Sequence, residues 1–282
     1  MRKLIVLPLA ALAMTGAAVA ALALRPGGSL AADFEARLAD LDPGPEGASL
    51  TESDIAHLPG PVQRYLRRAG VLGKPPVTMV HVRFQATLHS APGTSGMSGP
   101  AHQIDVLDPP RRLFFMTTRM KGLPVAVLRD YRPEEATMRA RAARLADVVS
   151  VSGAELARTE TVTFLNDICV FAPSALVRPE FEWTAIDETQ AGVTFAAGPH
   201  TVAATLVFSA EGDLVDFASD DRGELQPDGS LRVRRWTTPL SDYREFDGRR
   251  LPTHGEAVWH RQDGPFTYGT FDVHDVTFNK GS

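Results

Sequence analysis

The chain has 282 residues, of which 44% are hydrophobic and 22% are charged, and its formal net charge is −5. This composition is typical of a globular protein with a sizeable core and does not indicate an intrinsically disordered chain. The net negative charge argues against a nucleic-acid-binding protein, which normally presents a basic face. Because Cys169 is the only cysteine, an intrachain disulfide and a cysteine-rich zinc site are both excluded.

The N-terminal residues predict export. Two basic residues within 1–3 precede an uncharged run of 21 residues, 4–24, that is rich in leucine, alanine and valine. Such a run is either a secretory signal peptide or a membrane-spanning anchor, and the basic residues ahead of it favour placing the rest of the chain outside the cytoplasm. We therefore predict a signal peptide or N-terminal membrane anchor over 1–30. The protein would be periplasmic, secreted, or anchored to the inner membrane by residues 4–24.

Residues 31–76 are predicted to form short helices and a linker. The stretch 33–42 has the apolar spacing of an amphipathic helix, and the stretch 43–47 is a linker rich in proline and glycine. The segment 51–54 resembles a capping box at the start of a helical turn. The stretch 61–70 has proline near its start and glycine at its end, which is the usual order in a short helix.

From residue 77 the hydrophobic period changes to that of strands. Apolar residues alternate with polar ones between Val80 and Leu88, the pattern of a strand buried on one face. Similar stretches recur about every ten residues up to residue 278, and Asp-Gly pairs occupy two of the turns. This spacing predicts an antiparallel up-and-down sheet. Without strand–helix–strand alternation, a parallel nucleotide-binding sheet is not expected.

One long helix interrupts the strands and divides the chain into two β-rich halves. Apolar residues recur at steps of three and four from Ala154 to Ile168, with Gly153 before the pattern and Pro173 after it. This spacing predicts a helix over about 154–171 with one apolar stripe. An isolated helix of this length is unstable, so the stripe must pack against the strands on either side.

The sequence therefore predicts an α+β protein that is mainly β, with a single β-rich domain over 77–280. About eleven to thirteen antiparallel strands are too many for an open flat sheet, so we expect a large curved meander sheet in the form of a half-barrel. The central helix and the short N-terminal helices are expected to cover its concave face and enclose an apolar cavity.

Six segments beyond residue 55 carry a resemblance to a known family. They are 58–66 (LPGPVQRYL), 160–169 (ETVTFLNDIC), 172–176 (APSAL), 215–222 (VDFASDDR), 236–239 (WTTP) and 256–259 (EAVW). On these segments the chain resembles DUF6544, also known as DUF6920, a group of bacterial proteins of unknown function, and this resemblance implies no activity. In the segment 243–252 (YREFDGRRLP) the chain is also similar to the lipoprotein carriers of the LolA and LppX type. That second likeness implies an incomplete antiparallel barrel with helices over an apolar cavity.

No motif of known chemistry appears in the sequence. His81 and His89 are eight residues apart on one predicted strand, roughly 26 Å at the rise of a strand, which is too far for one metal ion. His254 and His260 are separated by roughly 20 Å on the same reasoning. The segment 95–99 (SGMSG) lacks the spacing of a nucleophile elbow and is interpreted as a loop. The sequence predicts no metal site, no cofactor and no catalytic residue set.

Two groups of residues are candidates for a binding site. Aromatic side chains would either line the cavity or pack in the core, and the candidates are Phe84, Phe115, Phe164, Phe171, Trp183, Trp236 and Trp259. A polar cluster is predicted from the helix and from a strand end, with the members Asn166, Asp167, Asp220, Asp221 and Arg222. A buried carboxylate there would pair with an arginine such as Arg222 and pin the helix to the sheet. The same carboxylates would be the general acid and base of a hydrolase.

The leading functional hypothesis is a non-enzymatic exported or membrane-anchored protein that binds a hydrophobic small molecule, such as a lipid or acyl chain. Its membrane contact would be the N-terminal segment, if that segment is not cleaved. One alternative is an extracytoplasmic hydrolase-like enzyme that uses Asp167, Asp220 or Asp221. Another is an anchored structural or interaction module whose core is filled. A bound hydrophobic molecule or an internal cavity would separate these hypotheses.

Overall fold

The computed structural model describes residues 29–143 and 145–280. Four α-helices lie within these residues, and a 3₁₀ helix, Pro173–Val177, directly follows the last of them. The helices are α1 (Leu30–Ala39), α2 (Glu52–Ile55), α3 (Gly60–Arg68) and α4 (Ala154–Phe171). Among the described helices none is long and apolar enough to cross a membrane. The predicted signal peptide or anchor, 4–24, lies outside the described residues.

Fourteen strands form one antiparallel sheet in this part of the chain. Before α4 come β1 (Met79–Leu88), β2 (Met97–Leu107), β3 (Pro110–Met120), β4 (Leu123–Tyr131), β5 (Ala136–Ala142) and β6 (Ala146–Gly153). After it come β7 (Phe181–Ala185), β8 (Gln190–Ala197), β9 (His200–Phe208), β10 (Leu214–Leu225), β11 (Leu231–Thr237), β12 (Leu240–Phe246), β13 (Arg249–Arg261) and β14 (Gly264–Phe278).

The strand order consists of two meanders joined in the middle of the sheet. It runs β6-β5-β4-β3-β2-β1-β14-β13-β11-β10-β9-β8-β7, and β12 pairs with the part of β13 that β11 leaves free. The first and last strands, β1 and β14, are therefore neighbours, and β6 and β7 form the two outer edges. Because α4 follows β6 and precedes β7, the helix carries the chain from one edge of the sheet to the other.

Helix α4 lies inside the curve of the sheet. It contacts β2, β4, β5 and β6 of the first meander and β9, β10 and β13 of the second, which is only compatible with a sheet that wraps around it. Fourteen of its eighteen residues are buried. The prediction of a mainly β protein with a curved antiparallel sheet and a central helix is confirmed. The expectation of one apolar stripe is wrong, because the sheet surrounds the helix and also buries its polar residues.

Helix α1 lies on the outer face of the sheet, opposite α4. Its Leu30 and Phe34 pack against a second apolar cluster formed by β1 to β4, and Phe34 stacks on Phe115 with ring centroids 4.9 Å apart. The sequence prediction placed all N-terminal helices on the concave face, and for α1 this is wrong. The strands under α1 are covered on both faces, which explains the unbroken apolar run 113–116 in β3.

Helices α2 and α3 cover the end of the sheet at which α4 terminates. The capping box that opens α2 is present at Thr51 and Asp54, and α3 contacts β8. The segment 95–99, which the sequence analysis interpreted as a loop, is in part the start of β2. At Gly99 the strands lie so close that a Cβ atom would be 1.9 Å from the carbonyl oxygen of Thr117, so only glycine fits this position.

Candidate ligand-binding pocket

A pocket lies between α4 and the concave face of the sheet. It encloses about 850 Å³, including the space at its open mouth. Its wall is formed by Phe84, Leu88, Gln103, Arg112, Phe114, Arg129, Thr163, Asn166, Asp167, Val170, Phe171, Arg222, Trp236, Thr238, Leu240, Pro252, His254, Gly255, Glu256, Ala257, Tyr268, Phe271 and Val273.

One side of the pocket is aromatic and aliphatic. Phe84 of β1 contacts Phe114 of β3 and Phe271 of β14, with ring centroids 6.0 and 5.6 Å apart. All three side chains share the concave face because every second residue of a strand points to the same side. Phe171 closes this side from the last turn of α4. Apolar walls of this kind favour the burial of hydrocarbon groups.

The other side of the pocket is a network of charged side chains around Arg112. The Nε atom of Arg112 donates to Asp167 Oδ2 at 2.6 Å, and its Nη1 atom donates to Glu160 Oε2 at 3.4 Å. Its Nη2 atom donates to Gln103 Oε1 at 2.9 Å, and Gln103 in turn donates to Asp105. Arg112 thus connects β2 and β3 to the middle of α4.

The pKa values of the carboxyl groups around Arg112 are shifted in different directions. Burial raises the pKa of Asp105 well above its ordinary value, the neighbouring Asp167 adds to this rise, and Arg112 opposes it. Burial also raises the pKa of Asp167, with Arg112 acting against it. For Glu160, burial acts upward, yet the guanidinium groups of Arg129, Arg112 and Arg222 hold its pKa below the ordinary value.

Asp105 is the member of the pair whose pKa burial raises further. It is completely buried, and its Oδ1 atom has no hydrogen-bond partner among the described residues. The same atom is 3.9 Å from Arg112 Nε, whereas Asp167 has the 2.6 Å contact with that nitrogen. An ionised carboxylate without such a contact is costly in a protein interior.

Polar residues of α4 also reach the second meander. Asn166 Oδ1 accepts a hydrogen bond from Thr238 Oγ1 at 2.7 Å, and Thr163 Oγ1 accepts one from Arg222 Nε at 3.1 Å. Because α4 bonds to β3 through Asp167 on one side and to these residues on the other, its rotation about its own axis is set by polar contacts. The pocket wall is accordingly held in one arrangement.

Six of the residues predicted from the sequence border this pocket: Phe84, Asn166, Asp167, Phe171, Arg222 and Trp236. Trp259 borders a neighbouring hollow, which shares Arg129, Arg222 and Tyr268 with the pocket. The expected pairing of Asp167 with Arg222 is not formed, because Arg112 occupies that position next to Asp167.

The remaining predicted residues lie elsewhere. Phe115 is on the outer face under α1, one residue out of phase with the pocket-lining Phe114. Phe164 is fully buried among Tyr131 and Phe195, and Trp183 donates from its Nε1 atom to the Leu176 carbonyl oxygen.

Two members of the predicted polar cluster lie outside the pocket. Asp220 is exposed and forms an ion pair with Arg235, and Asp221 forms one with Arg158. Asp221 also accepts a hydrogen bond from the main-chain nitrogen of Ala203. Their sequence neighbour Arg222 faces the pocket instead.

Sequence reasoning missed most of the charge network, namely Gln103, Asp105, Arg112, Arg129 and Glu160. Arginine is usually a surface residue, yet Arg112 is only 5% exposed. One signal was present in the sequence. Arg112, Phe114 and Met116 alternate in β3, and a strand that turns Phe114 and Met116 inward turns Arg112 inward as well.

Comparison with known proteins places the chain in a family. No curated protein matches it. Among solved structures it is similar to a DUF1329 family protein from Desulfovibrio piger, with 12% identity, a TM-score of 0.43, and coverage of 79% of this chain and 93% of that one. It is also similar to a putative outer membrane lipoprotein-sorting protein domain from Vibrio parahaemolyticus, with 10% identity, a TM-score of 0.41, and coverage of 72% and 86%.

A LolA superfamily protein from Nitrosomonas europaea is similar at 11% identity and a TM-score of 0.41, over 77% of this chain and 93% of that one. The first resemblance concerns the sequence itself. The family described as a family of unknown function, DUF6544, matches residues 48–271, and the chain belongs to this family.

Proposed function

We propose that the protein is a non-enzymatic, extracytoplasmic protein that binds a hydrophobic molecule, such as a lipid or acyl chain, in the pocket between α4 and the sheet. The observation that supports this proposal is the pocket whose one side is formed by Phe84, Phe114, Phe171 and Phe271. Apolar area removed from water there stabilises a complex by about 25 cal/mol per Å². The uncharged run 4–24 behind a basic start supports export, with or without cleavage.

Native mass spectrometry of the protein, purified gently from its own host, tests the proposal. We expect a hydrophobic adduct, and the N-terminal mass in the same spectrum reports whether the chain starts after residue 20 or 31. An adduct with a cleaved N-terminus means a soluble carrier. An intact N-terminus without any adduct, together with no binding of the neutral dye Nile red, would contradict ligand binding and favour the anchored interaction module.

A matched pair of variants tests whether binding takes place in this pocket. Leu240 is half-buried at the pocket, so Leu240→Glu places a charge in the wall without entering the deep core. We expect it to weaken Nile red binding at least tenfold. Leu123 is 53% exposed, and Leu123→Glu should leave binding unchanged. Equal binding by both variants would place the dye elsewhere.

The hydrolase alternative depends on Asp167, the only one of its three proposed carboxylates that borders the pocket. Asp167 accepts a hydrogen bond from Arg112 and therefore supports a structural role as directly as a catalytic one. If Asp167→Asn abolishes hydrolysis of an ester or amide substrate and leaves the fold and Nile red binding intact, the enzyme is the better description.

A further inference from the structure

A β-bulge in β10 decides which side chain enters the pocket. The register between β10 and β11 shifts between Ser219 and Arg222, so residues 220–221 of β10 face a single residue of β11. Strict alternation from the buried Phe217 would turn Asp221 inward and Arg222 outward. The bulge reverses this, and Arg222 is only 4% exposed. Bulges beside binding sites commonly re-aim a side chain in this way.

The guanidinium group of Arg222 lies among three aromatic rings. Its Cζ atom is 4.2 Å from the ring centroid of Trp236, 5.0 Å from that of Trp259 and 5.8 Å from that of Tyr268. Trp259 and Tyr268 are themselves stacked, with centroids 5.6 Å apart. Cation–π contacts hold the guanidinium plane in place, but they do not use its N–H donors.

The hydrogen bonds of Arg222 go to neutral groups. Its Nε atom donates to Thr163 Oγ1 at 3.1 Å, and its Nη1 atom donates to Tyr268 Oη at 2.7 Å. No carboxylate lies within ion-pair distance of Arg222 in the described part of the chain. The other two pocket arginines differ, because Arg112 contacts Asp167 and Glu160, and Arg129 contacts Glu160 at 3.2 Å.

Arg222 is the pocket arginine without a close carboxylate. Arg112 and Arg129 each contact the buried Glu160, and Arg112 also contacts Asp167. Glu160 interacts with Arg222 only from beyond ion-pair distance, since Arg222 is the weakest of the three guanidinium groups that lower its pKa. Glu256 also borders the pocket, but it accepts a hydrogen bond from Thr267. A buried charge without a close counter-charge is costly, and an anion bound next to Arg222 would reduce that cost.

We propose that Arg222 binds the anionic head group, a carboxylate or a phosphate, of a single-chain amphiphile whose hydrocarbon tail lies along the apolar side of the pocket. Arg222 is suited to this role because its planar guanidinium offers paired donors that match two anion oxygens. Phe84, Phe114 and Phe271 line the same pocket and provide the wall for the tail. This inference rests on the proposed function and adds the chemical class of the ligand.

The proposal is tested by competition between ligands of equal chain length. Delipidated protein is loaded with Nile red, which is neutral, and the dye is displaced by dodecanoate, dodecyl phosphate or dodecanol. We expect at least one of the two anionic ligands to bind tenfold or more tightly than dodecanol. The stronger of the two identifies the head group. This comparison uses the unaltered protein and needs no variant.

Two variants test whether Arg222 is responsible for the preference for anionic ligands. Arg222→Gln should remove the preference for the anionic ligand while dodecanol still binds, and Arg222→Lys should keep part of it because the charge remains. Arg235→Gln is the matched control, since Arg235 lies opposite the same bulge but is exposed and pairs with Asp220. Its ligand preference should equal that of the unaltered protein.

The possible failures are distinguishable. If dodecanol binds as tightly as both anionic ligands, or if folded Arg222→Gln keeps the full preference, the head-group assignment is overturned while hydrophobic binding stands. If neither Nile red nor any of the three ligands binds, the proposed function itself is contradicted and the inference falls with it.

Discussion

The hydroxyl group of Tyr65 in α3 donates a hydrogen bond to the main-chain carbonyl oxygen of Cys169 in α4, at 2.7 Å. In a continuing helix that carbonyl would accept from the main-chain nitrogen four residues later. Residue 173 is proline, which has no N–H to donate. Tyr65 therefore supplies the donor that the sequence of α4 lacks, and it attaches the N-terminal helices to the end of the central helix.

Replacing Tyr65 with phenylalanine should lower the free energy of unfolding by about 1–3 kcal/mol, because a buried carbonyl oxygen loses its partner. Urea denaturation followed by tryptophan fluorescence measures this. Tyr131→Phe is the comparison. Its partner Thr161 keeps a second hydrogen bond, to the Ala157 carbonyl oxygen, so the loss should be smaller. Equal losses for the two variants would contradict the capping role of Tyr65.

We expect two neighbouring substitutions in the charge network, Asp105→Asn and Arg112→Met, to have opposite effects on stability. Asp105→Asn resembles the protonated side chain and should be as stable as the unaltered protein, or more stable, at neutral pH. Arg112→Met leaves Asp167 and Glu160 without their central counter-charge and should cost about 3–5 kcal/mol. Urea denaturation of both variants and of the unaltered protein at pH 7 measures these changes in the free energy of unfolding.

The effect of Asp105→Asn on stability should also depend on pH, and the raised pKa of Asp105 sets its direction. The folded-state pKa of Asp105 is raised, so its contribution to stability is present at low pH and is lost as the pH rises through that folded pKa. The stability of Asp105→Asn relative to the unaltered protein should therefore increase with pH. If the relative stability falls as the pH rises, Asp105 is ionised in the folded protein and the assignment is wrong.

The architecture could be predicted from the sequence because its determinants are local. The alternation in 80–88 and the three-to-four spacing in 154–168 each act over one element and indicate strand and helix without knowledge of the rest. The curvature followed from the number of strands. Burial of the whole of α4 could not be derived in this way, because it depends on strands from both meanders meeting around one helix.

The charge network could not be predicted for a related reason. Arg112 and Asp167 are 55 positions apart, and their contact depends on the register of the sheet against the helix. For Arg222 the local rule gives the wrong face, since period-two alternation predicts an outward side chain and only the bulge at 220–221 reverses it. For Phe115 the sequence leaves cavity lining and core packing open, because nothing in it indicates that α1 covers the outer face.

His81 should make the protein less stable in mildly acidic solution. Burial lowers its pKa from 6.5 to about 4, the positive charges of Arg83 and His102 add to this, and Asp275 opposes it. The ring of His81 lies against that of His102, with 3.2 Å between Nε2 and Nδ1. Above pH 6.5 the group is neutral in both states. As the pH falls from there to about 4, only the unfolded chain gains the proton, so stability decreases.

The size of this effect is about 1–2 kcal/mol once screening by solvent is allowed for, since His81 is only half-buried. Urea midpoints of the unaltered protein and of His81→Gln should diverge between pH 6.5 and 4, with the variant losing less. His57→Gln, at an exposed position, serves as the control and should follow the unaltered protein. Parallel curves for all three would show that His81 does not carry the effect.

The close approach of β2 and β3 at Gly99 gives a steric prediction. A Cβ atom at this position would lie 1.9 Å from the Thr117 carbonyl oxygen, and main-chain atoms on both sides cannot move without breaking the ladder that holds Arg112 and Phe114 in place. Gly99→Ala should therefore cost on the order of 3 kcal/mol or more in unfolding free energy, and it should weaken Nile red binding in the protein that still folds.

Gly192 in β8 provides the matched substitution. A Cβ atom there meets its nearest neighbour at 3.6 Å, an ordinary van der Waals distance, so Gly192→Ala should change stability by less than about 1 kcal/mol and leave dye binding unaltered. Urea denaturation of the two variants in parallel measures the difference. If Gly99→Ala proves as well tolerated as Gly192→Ala, the two strands are further apart in solution, and the pocket wall that they support is less rigid than the contacts of Arg112 imply.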